Sequence, residues 1–516
     1  MNHKRRLLNL ILPAVFFGSL TGFFTAVVIL FYKLCAHYVI DFSETGYAFV
    51  RERLYLTPVV VIGLGIFAFI LSKVYKNAPN LRGGGIPTSI NVLRGIITFK
   101  WFRNLAGIFC LSLSSFLIGV PLGNEGPSVQ MGTAIGSGTM HIFPKKYMAW
   151  KRYAMTGGAC AGFSVATGAP ISGILFAVEE AHQRISPTII TFASVSVLTA
   201  NVSAELLAPL FNVSISLFPE SEVIRLSAEH LPLAAIIGVA MGLFAVLFLN
   251  YYTVINAFSN KLLRKIPHWV KIFGVFVLTL AAGLVSSSYV STGHELILSL
   301  TEKSAPIYVL LIILVVRASL TLLANTNKIT GGIFIPILTI GALISSMLAH
   351  GLESAFSISS DFYAVILALG MAACIASLMK MPITAIAFAV EALGCGQNIL
   401  HLVVVCTVSY IITEIFGVKS INDKVIEDRI AEYSRVHPPK LIDTKIKIEK
   451  GAFAVGKEIR DIFWPTGLFV LSTTHDESSS NRYEEGLRAG DTLHVRYTTC
   501  DEERSKQELD AITKKY

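Results

Sequence analysis

Charged residues are scarce in this 516-residue sequence, at 15% against 53% hydrophobic residues. Soluble domains carry about 25% charged residues, and the mean hydropathy of +0.62 also argues against a set of soluble domains. Its seven cysteines show no CxxC or metal-ligand spacing, so neither a disulfide framework nor a zinc site is indicated. Walker, HExxH and GxSxG motifs are absent, which leaves ATP-driven transport and hydrolase chemistry without support. We therefore expect no enzyme, cofactor or metal site.

Long apolar windows are abundant instead. A helix needs about 20 mostly apolar residues to cross a bilayer. The first window follows a basic start but is too long for a signal peptide and has no cleavage site, so it predicts a membrane helix. The clearest windows are Ile11–Leu30, Pro58–Leu71, Ile108–Leu122, Leu231–Leu249, Val270–Val285, Ile307–Leu323 and Phe362–Leu378. The sequence predicts a multi-pass protein of the lipid bilayer.

The net charge of +9 does not indicate nucleic acid binding, because the basic residues cluster in short loops between apolar windows. Such loops are typical of the cytoplasmic side. The connection Glu205–His230 holds Glu220, Glu222 and Glu229 against one arginine and is expected to be external. Both termini are then cytoplasmic, in a cell membrane of the bacterial inner-membrane type. The basic loop residues are Lys73, Lys76, Arg82, Lys145, Lys146, Lys151, Arg152, Lys261, Arg264, Lys265 and Lys271.

An internal repeat divides the chain into halves. Pro170–Glu179 matches Pro382–Glu391 at seven of ten positions, 212 residues apart. Gly123–Pro127 corresponds to Gly332–Pro336 at nearly the same offset. Duplicated halves with Gly/Pro-interrupted apolar segments are typical of transporters whose site lies between the halves.

Three apolar segments are interrupted by glycine and proline, at Gly83–Pro87, Gly123–Pro127 and Gly331–Pro336. A helix that begins after each break presents unpaired N–H groups and its positive dipole end. Three such ends converging in a membrane would form an anion site. The alternative is that the breaks are ordinary kinks or tight packing positions.

Two glutamates are candidates for chemistry. Glu125 lies inside a break, where an ionisable residue indicates function; its carboxylate could occupy the anion site and leave on protonation, or it could simply cap a helix. Glu180 ends the Pro170 repeat segment near a cytoplasmic loop. It could carry protons from that side, or pair with a base such as Arg184.

With these motifs in place, residues 10–416 resemble the CLC chloride channel/transporter family. The resemblance implies a homodimer with one pore per subunit and inverted-repeat halves that move inorganic anions, chloride foremost. It implies that Glu125 is the external gate and proton carrier and that Glu180 is the internal proton-transfer residue, which favours a proton-coupled antiporter. The candidate anion-binding positions are Gly84, Gly85, Ile86, Gly123, Asn124, Gly126, Ile333, Phe334, Ile335 and Gly396.

Two positions depart from the family pattern. Gly84 stands where the family usually has an anion-binding serine, and Leu393–Asn398 lacks the pore tyrosine, with Gly396 in its place. A passive anion channel of the same family is therefore the alternative to an antiporter. A cation-handling protein is disfavoured because no TVGYG filter is present.

The expected fold is an all-α polytopic membrane protein with inverted-repeat halves and broken helices, followed by a small cytoplasmic α/β domain. The membrane domain spans residues 1–416, a linker 417–439, the small domain 440–497 and a charged tail 498–516. Within 440–497, strands are predicted at Lys445–Ile448, Gly467–Ser472 and Thr492–Tyr497 and a short helix at Gly456–Phe463. Gly451–Lys457, Trp464–Gly467 and Gly486–Asp491 resemble a TrkA C-terminal (RCK-C) domain, which implies a regulatory module for a small ligand; the alternative is a folding or dimerisation appendage.

Overall fold

The structure is a computed structural model that describes residues 3–218, 223–302, 305–356, 362–474 and 486–515. Glu220 and Glu222 of the expected external loop lie outside the described residues. Helices make up most of the chain up to residue 416, and a small sheet follows.

Sixteen helices occupy the described residues up to position 416. They are α1 (His3–Glu52), α2 (Thr57–Asn77), α3 (Gly85–Leu93), α4 (Trp101–Ile118), α5 (Glu125–His141), α6 (Lys151–Thr167), α7 (Pro170–Phe176), α8 (Pro187–Phe211), α9 (Leu231–Ala257), α10 (His268–Val285), α11 (His294–Glu302), α12 (Ile307–Thr326), α13 (Phe334–Phe356), α14 (Tyr363–Leu378), α15 (Pro382–Ala392) and α16 (Ile399–Ile415). A π-helical turn, Ala177–Ala181, continues α7.

Nine of the described helices are long and apolar enough to cross a membrane. They are α1, α2, α4, α8, α9, α10, α12, α13 and α16. The shorter α3 is buried along its whole length, and α5 is buried except at its last residue. The predicted polytopic fold, with short broken helices held inside the protein, is confirmed.

Glycines determine how closely α5 and α6 pack. A Cβ on any of four glycines would collide with a backbone carbonyl of the facing helix, so only glycine permits this approach. The contacting pairs are Ser128–Gly162, Gly132–Gly158 and Gly136–Ala154. Each step of four residues along α5 is matched by a step of four backwards along α6, so the helices run antiparallel in one register. That register places Val165 level with Glu125.

The two copies of the predicted repeat, α7 and α15, cap each other. Carboxylate oxygens of Glu179 accept hydrogen bonds from the first free amides of α15, and those of Glu391 accept from the first free amides of α7. The donors are Ile383 (3.0 Å) and Thr384 (2.7 Å) for Glu179, and Ile171 (2.6 Å) and Ser172 (2.9 Å) for Glu391. Each glutamate is the last residue of one copy of the repeat and caps the start of the other, so the copies are antiparallel, as expected for inverted halves.

A small α/β domain ends the chain. Its strands β1 (Lys440–Lys447), β2 (Phe469–Thr474) and β3 (Thr492–Thr499) form an antiparallel sheet in the order β1-β3-β2. A helix, α18 (Glu502–Thr513), packs on it, and its Leu509 and Ile512 are buried in the core with Leu493 and Val495 of β3.

The structure differs from the expected boundaries in two segments. Residues 417–439, predicted as a linker, contain the helix α17 (Ile421–Val436). The predicted charged tail holds the end of β3 and α18, because Leu509 and Ile512 are three residues apart and share an apolar face. The short helix predicted at Gly456–Phe463 is a 3-10 turn, Ile459–Asp461, and β1 begins earlier than predicted.

Candidate functional site

Two glycines connect the halves of the membrane domain. Gly123, before α5, and Gly332, before α13, exchange two backbone hydrogen bonds of 2.7 Å each as an isolated antiparallel bridge. The start of α3 reaches the same point, because a Cβ on Gly85 would collide with the carbonyl of Gly126. A Cβ on Gly126 would lie 2.8 Å from Cα of Gly332. The three breaks in the helices therefore meet at one place.

The helix starts at this meeting point keep free backbone donors. Gly84 precedes α3 and Asn124 precedes α5, and neither of these two residues caps its helix with a side chain. The first amides of an uncapped helix carry partial positive charge. Nine of the predicted anion-site residues are gathered here, all of them buried except the partly exposed Asn124: Gly84, Gly85, Ile86, Gly123, Asn124, Gly126, Ile333, Phe334 and Ile335.

Glu125 is the first residue of α5, and its side chain is fully buried at this meeting point. Neither carboxylate oxygen accepts a hydrogen bond of ordinary geometry from any residue that the structure describes. The nearest donors are the backbone amides of Glu125 itself and of Ile335, and the carboxylate packs over Gly123, where a Cβ would collide with Oε2. The carboxylate of Glu125 thus lies where the starts of the helices meet.

Glu180 lies in the buried π-helical turn that follows α7. Its Oε1 accepts a 2.8 Å hydrogen bond from the side-chain amide of Asn422 in α17. The guanidinium of Arg94 donates to the backbone carbonyls of Glu180 (2.9 Å) and Ala181 (3.0 Å). Arg184, the alternative partner considered from the sequence, lies instead over the ring of Phe463, 4.7 Å from its centroid.

Gly396 is not brought to the site. It is exposed beyond the far end of α15, and neighbouring Asn398 bonds the backbone of Ile224 and Leu226. Eleven residues of helix, about 16 Å, separate it from the start of α15, which lies beside Glu179. The side chain that contacts Glu180 is instead that of Asn422. The chain comes back towards Glu180 only after α16, at the start of α17.

A basic cavity of about 850 Å³ lies beside Gly83, on the same side as α17. Arg429 of α17 donates to the carbonyl of Arg82, and a Cβ on Gly83 would lie 3.5 Å from its Nη2. A second cavity of about 370 Å³ shares Lys328 with the first. The basic residues that line the two cavities are Lys73, Lys76, Arg82, Lys261, Arg264, Lys271, Lys328, Arg429 and Arg435, against the acidic residues Asp428 and Glu432.

The C-terminal domain contacts the membrane domain next to Glu180. The ring of Phe463 lies 4.4 Å from that of Tyr153, between centroids, and the Thr466 hydroxyl donates to the backbone carbonyl of Arg94. Because Arg94 also holds the Glu180 carbonyl, a continuous path of contacts runs from the C-terminal domain to Glu180.

A partly buried lysine lies in the same interface. The Nζ of Lys457 is 3.2 Å from the ring centroid of Phe453 and 5.1 Å from that of Trp150. It donates a 2.7 Å hydrogen bond to the carbonyl of Phe453. Burial disfavours the ammonium and lowers the pKa of Lys457 to about 7.

Sequence reasoning missed Lys33, Arg94 and Asn422. Arg94 follows α3 in a loop, and Asn422 lies in a segment that reads as a linker. Lys33 could have been recognised as a candidate functional residue from the sequence, since a lysine within a long apolar window is unusual. Its Nζ donates to the carbonyls of Val165 and Ile215.

Residues 63–414 match the profile of a protein family described as voltage gated chloride channel. Among curated proteins, the H(+)/Cl(-) exchange transporter ClcA of Klebsiella pneumoniae subsp. pneumoniae is 26% identical over 429 residues, covering 82% of this chain and 90% of that protein. The protein of the same name from Vibrio parahaemolyticus is 27% identical over 433 residues, covering 81% and 89%.

A solved structure shares the fold. It is described as a slow cyanobacterial Cl-/H+ antiporter and superposes with a TM-score of 0.70 at 23% identity, covering 81% of this chain and 98% of that one.

Proposed function

Since this chain belongs to the voltage gated chloride channel family, we propose that it is a secondary-active transporter that exchanges chloride for protons. The observation that carries the proposal is Glu125, a fully buried carboxylate without a hydrogen-bond partner among the described residues, at the point where three helix breaks meet. The curated relatives named as H(+)/Cl(-) exchange transporters support the same assignment.

In this mechanism the anion and the Glu125 carboxylate compete for one set of backbone amides. The ionised carboxylate occupies the site and blocks it, because the amides near Gly123 and Ile335 attract either negative group. Protonation neutralises the carboxylate, so the side chain leaves and an anion takes its place. Deprotonation towards the other side restores the block, which links proton movement to anion movement.

Glu180 supplies the proton on the side of the C-terminal domain. Its carboxylate is buried, and the hydrogen bond from Asn422 holds it in one orientation. The basic cavities beside Gly83 open on the same side and attract anions towards the helix starts. Protons and anions would thus use separate entrances that lead to Glu125.

Reconstitution into liposomes tests the assignment. An outward chloride gradient imposed on proteoliposomes without a proton gradient should drive protons inward, against the pH difference that develops. Chloride flux without proton movement would identify the passive anion channel instead.

We also propose that the C-terminal domain regulates Glu180 through the contact between Thr466 and Arg94. A cavity of about 290 Å³ lies between α18 and the membrane domain and is a suitable place for a small regulatory ligand. It is lined by apolar side chains together with Lys151, Arg152, Arg504 and Glu508, so its ligand would be a small anion with an apolar body. The Thr466→Val variant should change the ratio of transported chloride to protons, whereas an unchanged ratio would leave the domain as a folding appendage.

The oligomeric state, the membrane and the orientation of the protein are proposed from the family resemblance. We propose a homodimer in a bacterial inner membrane, with both termini in the cytoplasm. An apolar stripe on α8, formed by exposed Leu198, Val202, Leu206 and Leu210, is available to a second copy or to lipid. Light scattering of the purified protein in detergent distinguishes a dimer from a monomer, and labelling of a cysteine placed near residue 516 in intact cells tests the orientation.

A further inference from the structure

Lys33 places a cation within the membrane-spanning helix α1. Its Nζ lies 3.3 Å from the carbonyl of Val165, in the last turn of α6, and 3.4 Å from that of Ile215. The last carbonyls of a helix have no partner within the helix and carry partial negative charge. Lys33 therefore caps the C-terminal end of α6.

The same contact brings Lys33 close to Glu125. The constant register of α5 and α6 places Val165 level with Glu125, and the ammonium is bonded to the carbonyl of Val165. Lys33 and Glu125 interact electrostatically. Lys33 also interacts electrostatically with His294, at the start of α11.

Lys33 and the C-terminal domain lie at opposite ends of α6. The other end of α6 begins with Lys151, Arg152 and Tyr153, which contact the C-terminal domain. Val165 is at the opposite end of the helix and level with Glu125, so Lys33 lies at the end of α6 that faces away from the C-terminal domain.

We propose that Lys33 is a positioning residue for the transported anion, which supplies fixed positive charge on the side of Glu125 that faces away from the C-terminal domain. The helix starts offer only partial charges, and neither Gly84 nor Asn124 adds a charged donor. A full charge beside them attracts the anion when the Glu125 side chain has left, and attracts the ionised carboxylate when it has returned. This inference rests on the proposed chloride/proton exchange.

Two variants separate this role from simple capping of α6. Lys33→Gln keeps side-chain N–H donors for the carbonyls of Val165 and Ile215 but removes the charge, and Lys33→Arg keeps both. Arg51→Gln is the matched control, since Arg51 is also on α1 and donates to the carbonyls of Gly283 and Leu284. Thermal unfolding of each purified variant checks that it is folded.

Calorimetric titration of sodium chloride into the detergent-solubilised protein, and the chloride dependence of uptake into proteoliposomes, provide the readouts. For Lys33→Gln we expect chloride affinity to fall roughly tenfold and the KM for chloride to rise with it, while Lys33→Arg and Arg51→Gln remain close to wild type. A folded Lys33→Gln protein with wild-type chloride affinity would overturn the proposal and leave Lys33 as a cap. A wild-type protein that binds chloride but moves no protons would overturn the exchange function, whereas the binding measurement would still decide the role of Lys33.

Discussion

The side-chain amide of Asn422 donates a 2.8 Å hydrogen bond to Oε1 of Glu180, and both side chains are buried. The two residues are 242 positions apart in the chain. Asn422 lies in the first turn of α17, where the hydroxyl of Ser420 caps the helix by accepting from the amide of Asp423. The segment after the last membrane span thus completes the surroundings of a glutamate in the first half of the protein.

Glu180→Gln should stop or slow proton movement while chloride movement continues, because glutamine cannot carry a proton but keeps the shape of the side chain. Paired chloride and pH measurements on proteoliposomes show this directly. Glu427→Gln is a suitable control, since Glu427 forms an exposed ion pair with Lys419, and such pairs contribute little. Equal loss of both fluxes in Glu180→Gln would indicate a structural role.

Glu125→Gln imitates the protonated side chain and should leave chloride flux in place without coupling to protons. The expectation follows from the burial of this carboxylate among free backbone amides. Proton movement against its gradient in the variant, driven by chloride, would contradict the gating role.

Gly84→Ser should tighten chloride binding. A hydroxyl adds one hydrogen bond to a charged group, worth about 1.5–3 kcal/mol, so the gain is at most about tenfold to a hundredfold. The backbone permits the change, because Gly84 has φ −65° and a Cβ there would lie 3.6 Å from Cδ of Pro87. Calorimetry measures the affinity, and a folded variant with unchanged or weaker binding would show that the absent hydroxyl does not matter.

Gly85→Ala should be far more damaging than Gly84→Ala, although the residues are adjacent. The new Cβ at Gly85 would collide with the carbonyl of Gly126 and push apart the helix starts. Overpacking of this kind typically costs about 1–3 kcal/mol. Thermal unfolding should show a lower Tm for Gly85→Ala, with Gly46→Ala, which faces open space, as the control. Similar stability of the two neighbours would contradict the close approach.

Lys457 should make stability depend on pH. Its pKa is lowered to about 7 in the folded protein, so between pH 7 and about 10 the unfolded chain holds a proton that the folded chain has lost. Stability therefore rises with pH across this range, by roughly 1.4 kcal/mol per pH unit at most. Lys457→Met should lose this slope and be more stable than wild type near pH 7. Tm measured against pH for both proteins checks the prediction, and parallel curves would refute it.

Much of the architecture follows from patterns along the chain. Apolar windows predict the membrane spans, because an apolar helix of about 20 residues crosses the bilayer with its backbone hydrogen bonds satisfied internally. The matching segments ending in Glu179 and Glu391 predict two related halves. Glycine and proline in otherwise apolar segments mark where helices must begin anew, which is why Glu125 was identifiable from its position alone.

The tertiary structure alone decided which residues surround those positions. Gly396 follows the correct repeat but lies beyond the far end of α15, and Asn422 reaches Glu180 from a polar stretch that resembles a linker. The relation of Lys33 to Glu125 could be recognised only from the register of α5 and α6, which places Val165 level with Glu125. Local sequence determines whether a helix forms and where it stops, since those are matters of backbone hydrogen bonds and apolar length. Contacts between residues 132 or 242 positions apart depend on how helices pack, and packing is a property of the whole fold.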